Sequence, residues 1–152
     1  MEVKNAQLPG KNLSEFGGLE FICRLKAYGS FLRRYQKYIR EKLQQLPYLI
    51  EITVKDDEQG DPLINDDTIV ALGILDEKQL ARCKELTNRA AQVIEQDLLQ
   101  KELFLVDIKF EFGLINNQVA LIDEVSADSM RVMDKNGKFL SHQEIYNAIK
   151  AK

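Results

Sequence analysis

Charged and apolar residues alternate through segment 105–113, which reads LVDIKFEFG. Side chains that alternate along a β-strand point to opposite faces, so this segment predicts a strand with one apolar and one ionic face. Val106, Ile108 and Phe110 would face the core. The ionic face would carry Asp107, Lys109 and Glu111. Two carboxylates around one ammonium group are suited to binding metal ions and phosphates.

A second candidate strand, residues 118–124, follows Asn116-Asn117, and asparagine tolerates the left-handed backbone of tight hairpin turns. A turn there places Glu111 beside Asp123 on the neighbouring strand. Like charges opposite each other destabilise a sheet unless solvent separates them or a hard divalent cation bridges them. The pair therefore indicates either a Mg²⁺ site, completed by water and substrate phosphates, or an ordinary solvated strand face. Lys109 would provide countercharge for a phosphate.

Basic residues dominate segment 24–42, where only Glu41 is acidic and tyrosines and a phenylalanine lie between the cations. Ser30 is a candidate N-cap, and a helix N-terminus attracts anions, so Arg24 and Ser30 could form a phosphate site. Arg131, in a polar loop further on, could bind a phosphate or a carboxylate through its planar guanidinium. A solvated helix face and a nucleic-acid surface are the alternatives. The basic residues are Arg24, Lys26, Arg33, Arg34, Lys37, Arg40 and Lys42.

Acidic residues are concentrated between Glu51 and Asp67, but their spacing lacks the central glycine and terminal glutamate of an EF-hand. Cys23 and Cys83 lie singly among apolar residues, which favours buried, reduced thiols over a disulfide or a zinc site. With one histidine, His142, no pair of imidazoles can bind a metal.

Secondary-structure patterns predict an α+β fold with a mostly antiparallel sheet flanked by helices. Capping-box patterns start at Asp76 and at Ser141, and a second hairpin turn is predicted at Asn136-Gly137. Met1–Gly18 is expected to be a loop or tail, followed by one domain over residues 19–152. Strands are expected over 19–25, 48–54, 103–111 and 118–124, and helices over 31–45, 77–101 and 143–150. The helix over 31–45 would bury Leu32, Tyr35, Ile39 and Leu43, and the long helix would bury Leu80, Cys83, Thr87, Ala90, Ile94 and Leu98.

Composition fits a globular chain of this size. The 152 residues are 45% hydrophobic and 30% charged, and 21 Lys and Arg against 24 Asp and Glu give a net charge of −3. No global positive field marks a nucleic-acid or membrane-surface binder. The apolar runs are too short for a spanning helix and the N-terminus is too polar for a signal peptide, so a cytoplasmic protein without a membrane partner is expected.

Four ordered blocks together resemble the central and C-terminal part of phosphoribosylaminoimidazole-succinocarboxamide synthase, also called SAICAR synthetase. They are LEFICRLKAYGS at 19–30, DEQGDPLINDD at 57–67, LVDIKFEFG at 105–113 and DEVSADSMRVMD at 123–134. The resemblance implies the larger lobe of an ATP-grasp-like fold. It also implies a ligase of purine synthesis that uses ATP and Mg²⁺ to join carboxyaminoimidazole ribonucleotide to L-aspartate through an acyl phosphate.

The resemblance also assigns residue roles. It implies that Glu111 and Asp123 hold the Mg²⁺ of the nucleotide, and that Asp107 faces a metal on the substrate carboxylate. It places Arg24, Ser30 and Arg131 around the ribonucleotide phosphate. Lys109 would be catalytic with Asp107 and would contact the nucleotide, as would Lys55, while Asp61 and Asp128 would lie in substrate-binding loops. Three positions depart from the usual pattern of the family: Tyr28, Ala127 and Met133.

Members of the family are expected to carry a β-rich N-terminal lobe before the block at Leu19, which residues 1–18 are too short to provide. An isolated chain is therefore expected to be poorly active, and either to form a homo-oligomer or to need a complementing lobe. Two other functions stay open: a non-catalytic remnant that keeps nucleotide binding, and a nucleic-acid-binding module based on segment 24–42. The joint presence of Asp107, Lys109, Glu111, Asp123 and Arg131 favours the ligase.

Overall fold

The computed structural model describes residues 18–150 and has an α+β fold, in which an antiparallel sheet is flanked by helices. The predicted tail, except Gly18, lies outside the described residues. The strands are β1 (Leu19–Lys26), β2 (Gln45–Val54), β3 (Leu103–Ile115), β4 (Gln118–Leu121) and β5 (Met130–Asp134). The helices are α1 (Gly29–Tyr35), α2 (Asp66–Ala71), α3 (Glu77–Leu99) and α4 (His142–Lys150), with 3₁₀ turns at Gln36–Tyr38 and Ala127–Ser129.

Strand β3 organises the sheet, whose order is β2-β1-β3-β4, with β5 also paired to β3. Its two halves pair antiparallel with β5 and β4 respectively. The β3–β4 hairpin turns at Asn116 and Asn117, whose φ angles are 49° and 64°. Two successive residues with positive φ are typical of a type I′ turn, which matches the twist of the flanking strands. The hairpin predicted at the two asparagines is confirmed.

Contacts divide the described residues into two compact units. The first comprises residues 18–22, 50–87 and 109–124, and the second comprises residues 23–49, 88–108 and 125–150. In the first, the rings of Phe21 and Phe112 meet edge to face with centroids 5.3 Å apart within a buried apolar core. In the second, Leu25, Leu105 and Val132 are fully buried. Each unit therefore has a core that can support polar side chains nearby.

Both predicted capping boxes are present. At the start of α3, Asp76 and Gln79 exchange side-chain to backbone hydrogen bonds of 2.7 and 3.0 Å. Before α4, Ser141 and Glu144 do the same, at 3.3 and 2.8 Å. These bonds satisfy amide groups that the first helical turn leaves unpaired. The buried positions of α3 are Leu80, Cys83, Thr87, Ala91 and Leu98, so the buried face of the long helix is confirmed apart from Ala90 and Ile94, which are half-buried.

The helix predicted over 31–45 is wrong in length, because α1 ends at Tyr35 and one 3₁₀ turn follows it. None of the residues in these two elements is fully buried, and the four residues of the expected apolar stripe are only half-buried. Leu43 has a left-handed φ of 56°, and the Gln44 carbonyl accepts a 2.8 Å hydrogen bond from the Ala27 amide. Pairing of the backbone at Gln44 therefore overrides the helical preference of the segment.

Strand β2 lies at one end of the sheet order and begins at Gln45, three residues before the predicted start, so it contains Pro47. Proline is tolerated there because an edge strand has amides that need no ladder partner. Tyr48 follows with a φ of 50°. At the far end of β2, the amide of Val54 donates to the Pro62 carbonyl at 2.9 Å and the amide of Ile64 donates to Ile52 at 3.0 Å.

Both cysteines are buried free thiols, as predicted. Burial is the main reason that the pKa of each rises to about 12, and for Cys23 the charges of Glu95 and Asp107 add to the effect. Such thiols stay protonated near neutral pH and are poor nucleophiles. Within residues 18–150, no helix has the length and apolar character that crossing a membrane requires.

Candidate functional site

In the first unit, Glu20 is a buried carboxylate that binds two other polar side chains. Its Oε1 lies 2.7 Å from the Lys109 ammonium, and its Oε2 accepts a 3.2 Å hydrogen bond from the Thr53 hydroxyl. Only 7% of Glu20 is exposed. A carboxylate removed from water needs such partners, and here it holds Lys109 in a defined position. Glu20 on β1 and Lys109 on β3 are thus tied across the sheet.

Glu111 extends this group, because its Oε1 lies 2.9 Å from the Lys55 ammonium and 4.0 Å from that of Lys109. The hydrogen bond that Lys55 donates to Glu111 raises the pKa of Lys55, partial burial lowers it, and the charges of Glu111, Glu20 and Asp123 raise it further. We call Glu20, Lys55, Lys109 and Glu111 the lysine–carboxylate cluster. Its two ammonium groups lie among carboxylates close to where β3 pairs with the chain after β4.

The predicted register between Glu111 and Asp123 is wrong by one residue, because Ile122 lies directly opposite Glu111 and its amide donates to the Glu111 carbonyl at 3.1 Å. The Asp123 side chain accepts a 2.8 Å hydrogen bond from the amide of Glu124, and its charge acts on Lys55. Across residues 18–150 there is no group of three or more His, Cys, Asp or Glu side chains arranged to hold a metal. A metal shared by Glu111 and Asp123 therefore stays a prediction that rests on two carboxylates.

The donor set itself suits Mg²⁺. This ion prefers oxygen ligands, needs only one or two protein carboxylates and completes its shell with water and phosphate oxygens. Glu111 is 12% exposed at its side chain and Lys55 is 44% exposed, so the carboxylate faces a partly open surface. Lysines beside the carboxylates match the charge of a polyphosphate. The residues present fit a phosphate-bound Mg²⁺ better than a metal held by protein groups alone.

In the second unit, Asp107 lies between two arginines. Arg131 donates from Nε and Nη2 to its two carboxylate oxygens at 2.8 and 2.6 Å, and Arg24 donates from Nη1 at 3.1 Å. Asp107 is 4% exposed and Arg24 is 1% exposed. Arg24 also donates to the Ser30 hydroxyl at 2.9 Å. We call Arg24, Ser30, Asp107 and Arg131 the arginine cluster.

The arginine cluster brings together the three residues expected around a phosphate, and its present anion is the Asp107 carboxylate. Both oxygens of Asp107 are engaged by guanidinium groups, which disfavours a second cation at the same oxygens. Ser30 does not cap α1, contrary to the prediction. The N-cap is Tyr28, which makes no side-chain cap bond, and Ser30 is the second helical residue, with its hydroxyl turned to Arg24.

Asp61 and Asp128 have local partners instead. Asp61 has a φ of 50° and accepts a 2.9 Å hydrogen bond from the amide of Asp56, which closes the acidic loop on itself. Asp128 lies 2.6 Å from Nδ1 of His142, and both side chains are 68% exposed. These contacts stabilise loops of the first and the second unit respectively, and the substrate-binding roles of both aspartates stay predictions.

Glu20 is the residue of the site that the sequence analysis missed. A signal was available, since Glu20 is an acidic residue inside an apolar strand and lies four positions before Arg24, on the same face of that strand. A charged residue on a strand face that becomes buried needs a polar partner. The partner, Lys109, is 89 positions away, and only the sheet order brings it close.

The chain is also similar in sequence to known proteins. The family model of SAICAR synthetase matches residues 6–146. The chain belongs to the SAICAR synthetase family. The Clostridium tetani phosphoribosylaminoimidazole-succinocarboxamide synthase is 40% identical over 151 residues, which are 98% of this chain and 63% of that protein. The chain spans about half the length of several other curated relatives that it matches.

Solved structures of the family are also similar. A SAICAR synthetase determined by structural genomics superimposes with a TM-score of 0.79 at 32% identity, over 88% of this chain and 68% of that one. A type-2 SAICAR synthetase in complex with ADP gives a TM-score of 0.78 at 28% identity, over 88% and 63%. The α+β fold with a mostly antiparallel sheet, predicted from the secondary-structure patterns, is thus confirmed.

Proposed function

We propose that this SAICAR synthetase family chain provides the larger catalytic part of an ATP-dependent ligase that joins carboxyaminoimidazole ribonucleotide to L-aspartate in purine synthesis. The observation that carries the proposal is the lysine–carboxylate cluster, in which ammonium and carboxylate groups alternate within 2.7 to 4.0 Å. Such a cluster suits a polyphosphate with its Mg²⁺. The ADP bound to a similar SAICAR synthetase supports the same ligand class.

Lys55 and Lys109 are proposed to contact the nucleotide phosphates, and Glu111 with Asp123 to hold Mg²⁺. When bound, the ion neutralises phosphate charge and polarises the phosphoryl group under attack. The 2.7 Å ion pair with Glu20 holds the ammonium group of Lys109 in a fixed position. Because this carboxylate is buried, the pair is weakly screened by water and salt, and the lysine needs little reorganisation when substrate binds.

The arginine cluster is proposed to bind the 5′-phosphate of the ribonucleotide. Arg131 is 39% exposed at its side chain, so an outer edge of its guanidinium can meet an anion while Nε and Nη2 stay on Asp107. Arg24 lies too deep for broad solvent contact and supports the site through Ser30 and Asp107. In this proposal Asp107 orients the guanidinium groups, a role that its three hydrogen bonds favour over binding a metal. Asp61 and Asp128 remain the candidates for the substrate loops.

Two chemical steps follow from this assignment. A carboxylate oxygen of the ribonucleotide attacks the γ-phosphorus of ATP, which gives an acyl phosphate and ADP. The amine of aspartate then attacks the carbonyl carbon, phosphate leaves, an amide forms and the amine loses a proton. The side chains contribute mainly position and countercharge, and the acyl phosphate needs protection from water.

An assay of ADP release with the ribonucleotide, aspartate, ATP and Mg²⁺ tests the proposal, with the chain alone and with an added N-terminal lobe from a relative. We expect little release by the chain alone and recovery on addition of the lobe, because cover over the phosphates excludes water. Omission of aspartate is the control for simple ATP hydrolysis. Ribonucleotide binding without any turnover, even with the lobe, would instead favour a non-catalytic remnant.

A further inference from the structure

The ring of Tyr28 contacts two groups in the second unit. It stacks on Phe139, with centroids 4.4 Å apart and ring planes 28° apart. The central guanidinium carbon of Arg131 lies 5.0 Å from the centroid of the same tyrosine. An arginine within about 6 Å of an aromatic centroid is attracted to the electron-rich face of the ring. Tyr28 therefore links the guanidinium of Arg131 to a second aromatic side chain.

Gly29, the next residue, gives Arg131 a third contact. Its φ is +59°, and a Cβ at this position would lie 2.3 Å from Nη1 of Arg131. The guanidinium thus packs directly against the backbone, which only glycine allows at this distance. Arg131 is held by the two hydrogen bonds to Asp107, by the Tyr28 ring and by the backbone of Gly29, and 39% of its side chain is still exposed.

We propose that Tyr28, supported by Phe139, is a positioning residue that fixes the plane of the Arg131 guanidinium for a phosphate monoester. The inference rests on the proposed function, in which Arg131 contacts the ribonucleotide phosphate. Phosphate recognition by arginine depends on two parallel N–H donors held in one plane. Asp107 fixes one edge of the guanidinium, but a planar group hinged at one edge can still tilt. The tyrosine ring opposes that tilt, so less side-chain freedom is lost on binding.

Three variants separate positioning from simple packing. Tyr28→Phe keeps the ring, Tyr28→Leu keeps apolar bulk against Phe139 without an aromatic face, and Tyr28→Ala removes both. Tyr146→Ala is the matched control, because Tyr146 is a half-exposed tyrosine of α4 that contacts another cation, Lys150. The side-chain Nε–H signal of Arg131, assigned by its loss in Arg131→Lys, reports guanidinium motion by ¹⁵N relaxation without any ligand.

We expect Tyr28→Leu and Tyr28→Ala to increase the motion of the Arg131 Nε–H group and to weaken binding of carboxyaminoimidazole ribonucleotide about 3- to 10-fold, the range for one newly mobile side chain. Affinity for the nucleoside without phosphate should not change, and Tyr28→Phe and Tyr146→Ala should behave as the parent. An unchanged Arg131 signal, or equal losses for nucleotide and nucleoside, would overturn the positioning role. If the parent chain binds nucleotide no better than nucleoside, the proposed phosphate role fails, and the relaxation data alone decide the positioning role.

Discussion

Replacement of Asp107 by asparagine should destabilise the protein, because Arg24 and Arg131 would both lose a carboxylate partner. Arg24 donates to Asp107 at 3.1 Å and is 1% exposed, so this ion pair is shielded from water. Removal of one partner of a buried ion pair costs about 3–5 kcal/mol. Arg131 is 39% exposed at its side chain and can turn to solvent, so we expect the lower end, about 3 kcal/mol.

Urea unfolding followed by circular dichroism measures this loss against a total stability of about 5–15 kcal/mol for a domain of this size. The matched control is Glu102→Gln in the same unit. The Glu102 carboxylate lies 3.3 Å from the Lys135 ammonium, and the two side chains are 72% and 62% exposed. Breaking such a surface pair should cost under about 1 kcal/mol. The asparagine keeps the volume of Asp107, so a cavity does not contribute to the difference.

A loss below about 1 kcal/mol for Asp107→Asn would refute the reasoning, since that is the size of a surface pair. A gain in stability would refute it more strongly. It would mean that the Asp107 carboxylate is repelled by neighbouring acids in the folded protein, as expected of a vacant metal ligand and not of the partner of two arginines. The sign of the change therefore distinguishes the two roles of Asp107.

Three other substitutions or conditions test the remaining contacts. Glu111→Gln should lower stability by under about 1 kcal/mol, because its partner Lys55 is 44% exposed. The same substitution should weaken Mg²⁺-dependent ADP binding, measured by calorimetry, at least severalfold. Equal ADP binding by variant and parent would contradict the metal role of Glu111. Gly29→Ala should cost about 1–2 kcal/mol in urea unfolding through its φ of +59°, and should shift the Arg131 Nε–H signal. The pKa of Glu144 is lowered to about 2, chiefly by Lys138 and then by the Ser141 cap. The stabilisation of α4 by Glu144 is therefore present above pH 4.5 and is lost as the pH falls towards 2. Amide exchange rates in α4 that do not respond to Glu144 protonation over this pH range would contradict the cap.

The elements predicted correctly from sequence are those specified by local chemistry. Asn116-Asn117 set the hairpin because asparagine accepts positive φ, and Asp76 with Gln79 set the start of α3 because their side chains bond to nearby amides. The helix over 31–45 was wrong because its end depends on a distant contact, the bond from the Ala27 amide to Gln44. Helical periodicity in a segment does not reveal such a competitor.

The candidate site shows the same division. Strand alternation in β3 correctly predicted that Lys109 and Glu111 lie on a polar face. It could not show that Asp107 is buried between two arginines. The register of β3 shifts between Leu105 and Asp107, an irregularity that alternation cannot foresee. Glu20 was missed because its partner comes from a separate strand. Ion pairs between strands depend on sheet order, which is a property of the whole fold.

The edges of the sheet bear on how the protein avoids aggregation. An unpaired strand edge is a template on which another chain can add a strand. On β2, Pro47 offers no amide and the left-handed Tyr48 interrupts the extended backbone, while residues 62–64 occupy hydrogen-bonding groups at the other end. At the opposite end of the order, β4 is only four residues long. Strand addition at β2 or β4 is therefore disfavoured by the backbone of these two strands themselves.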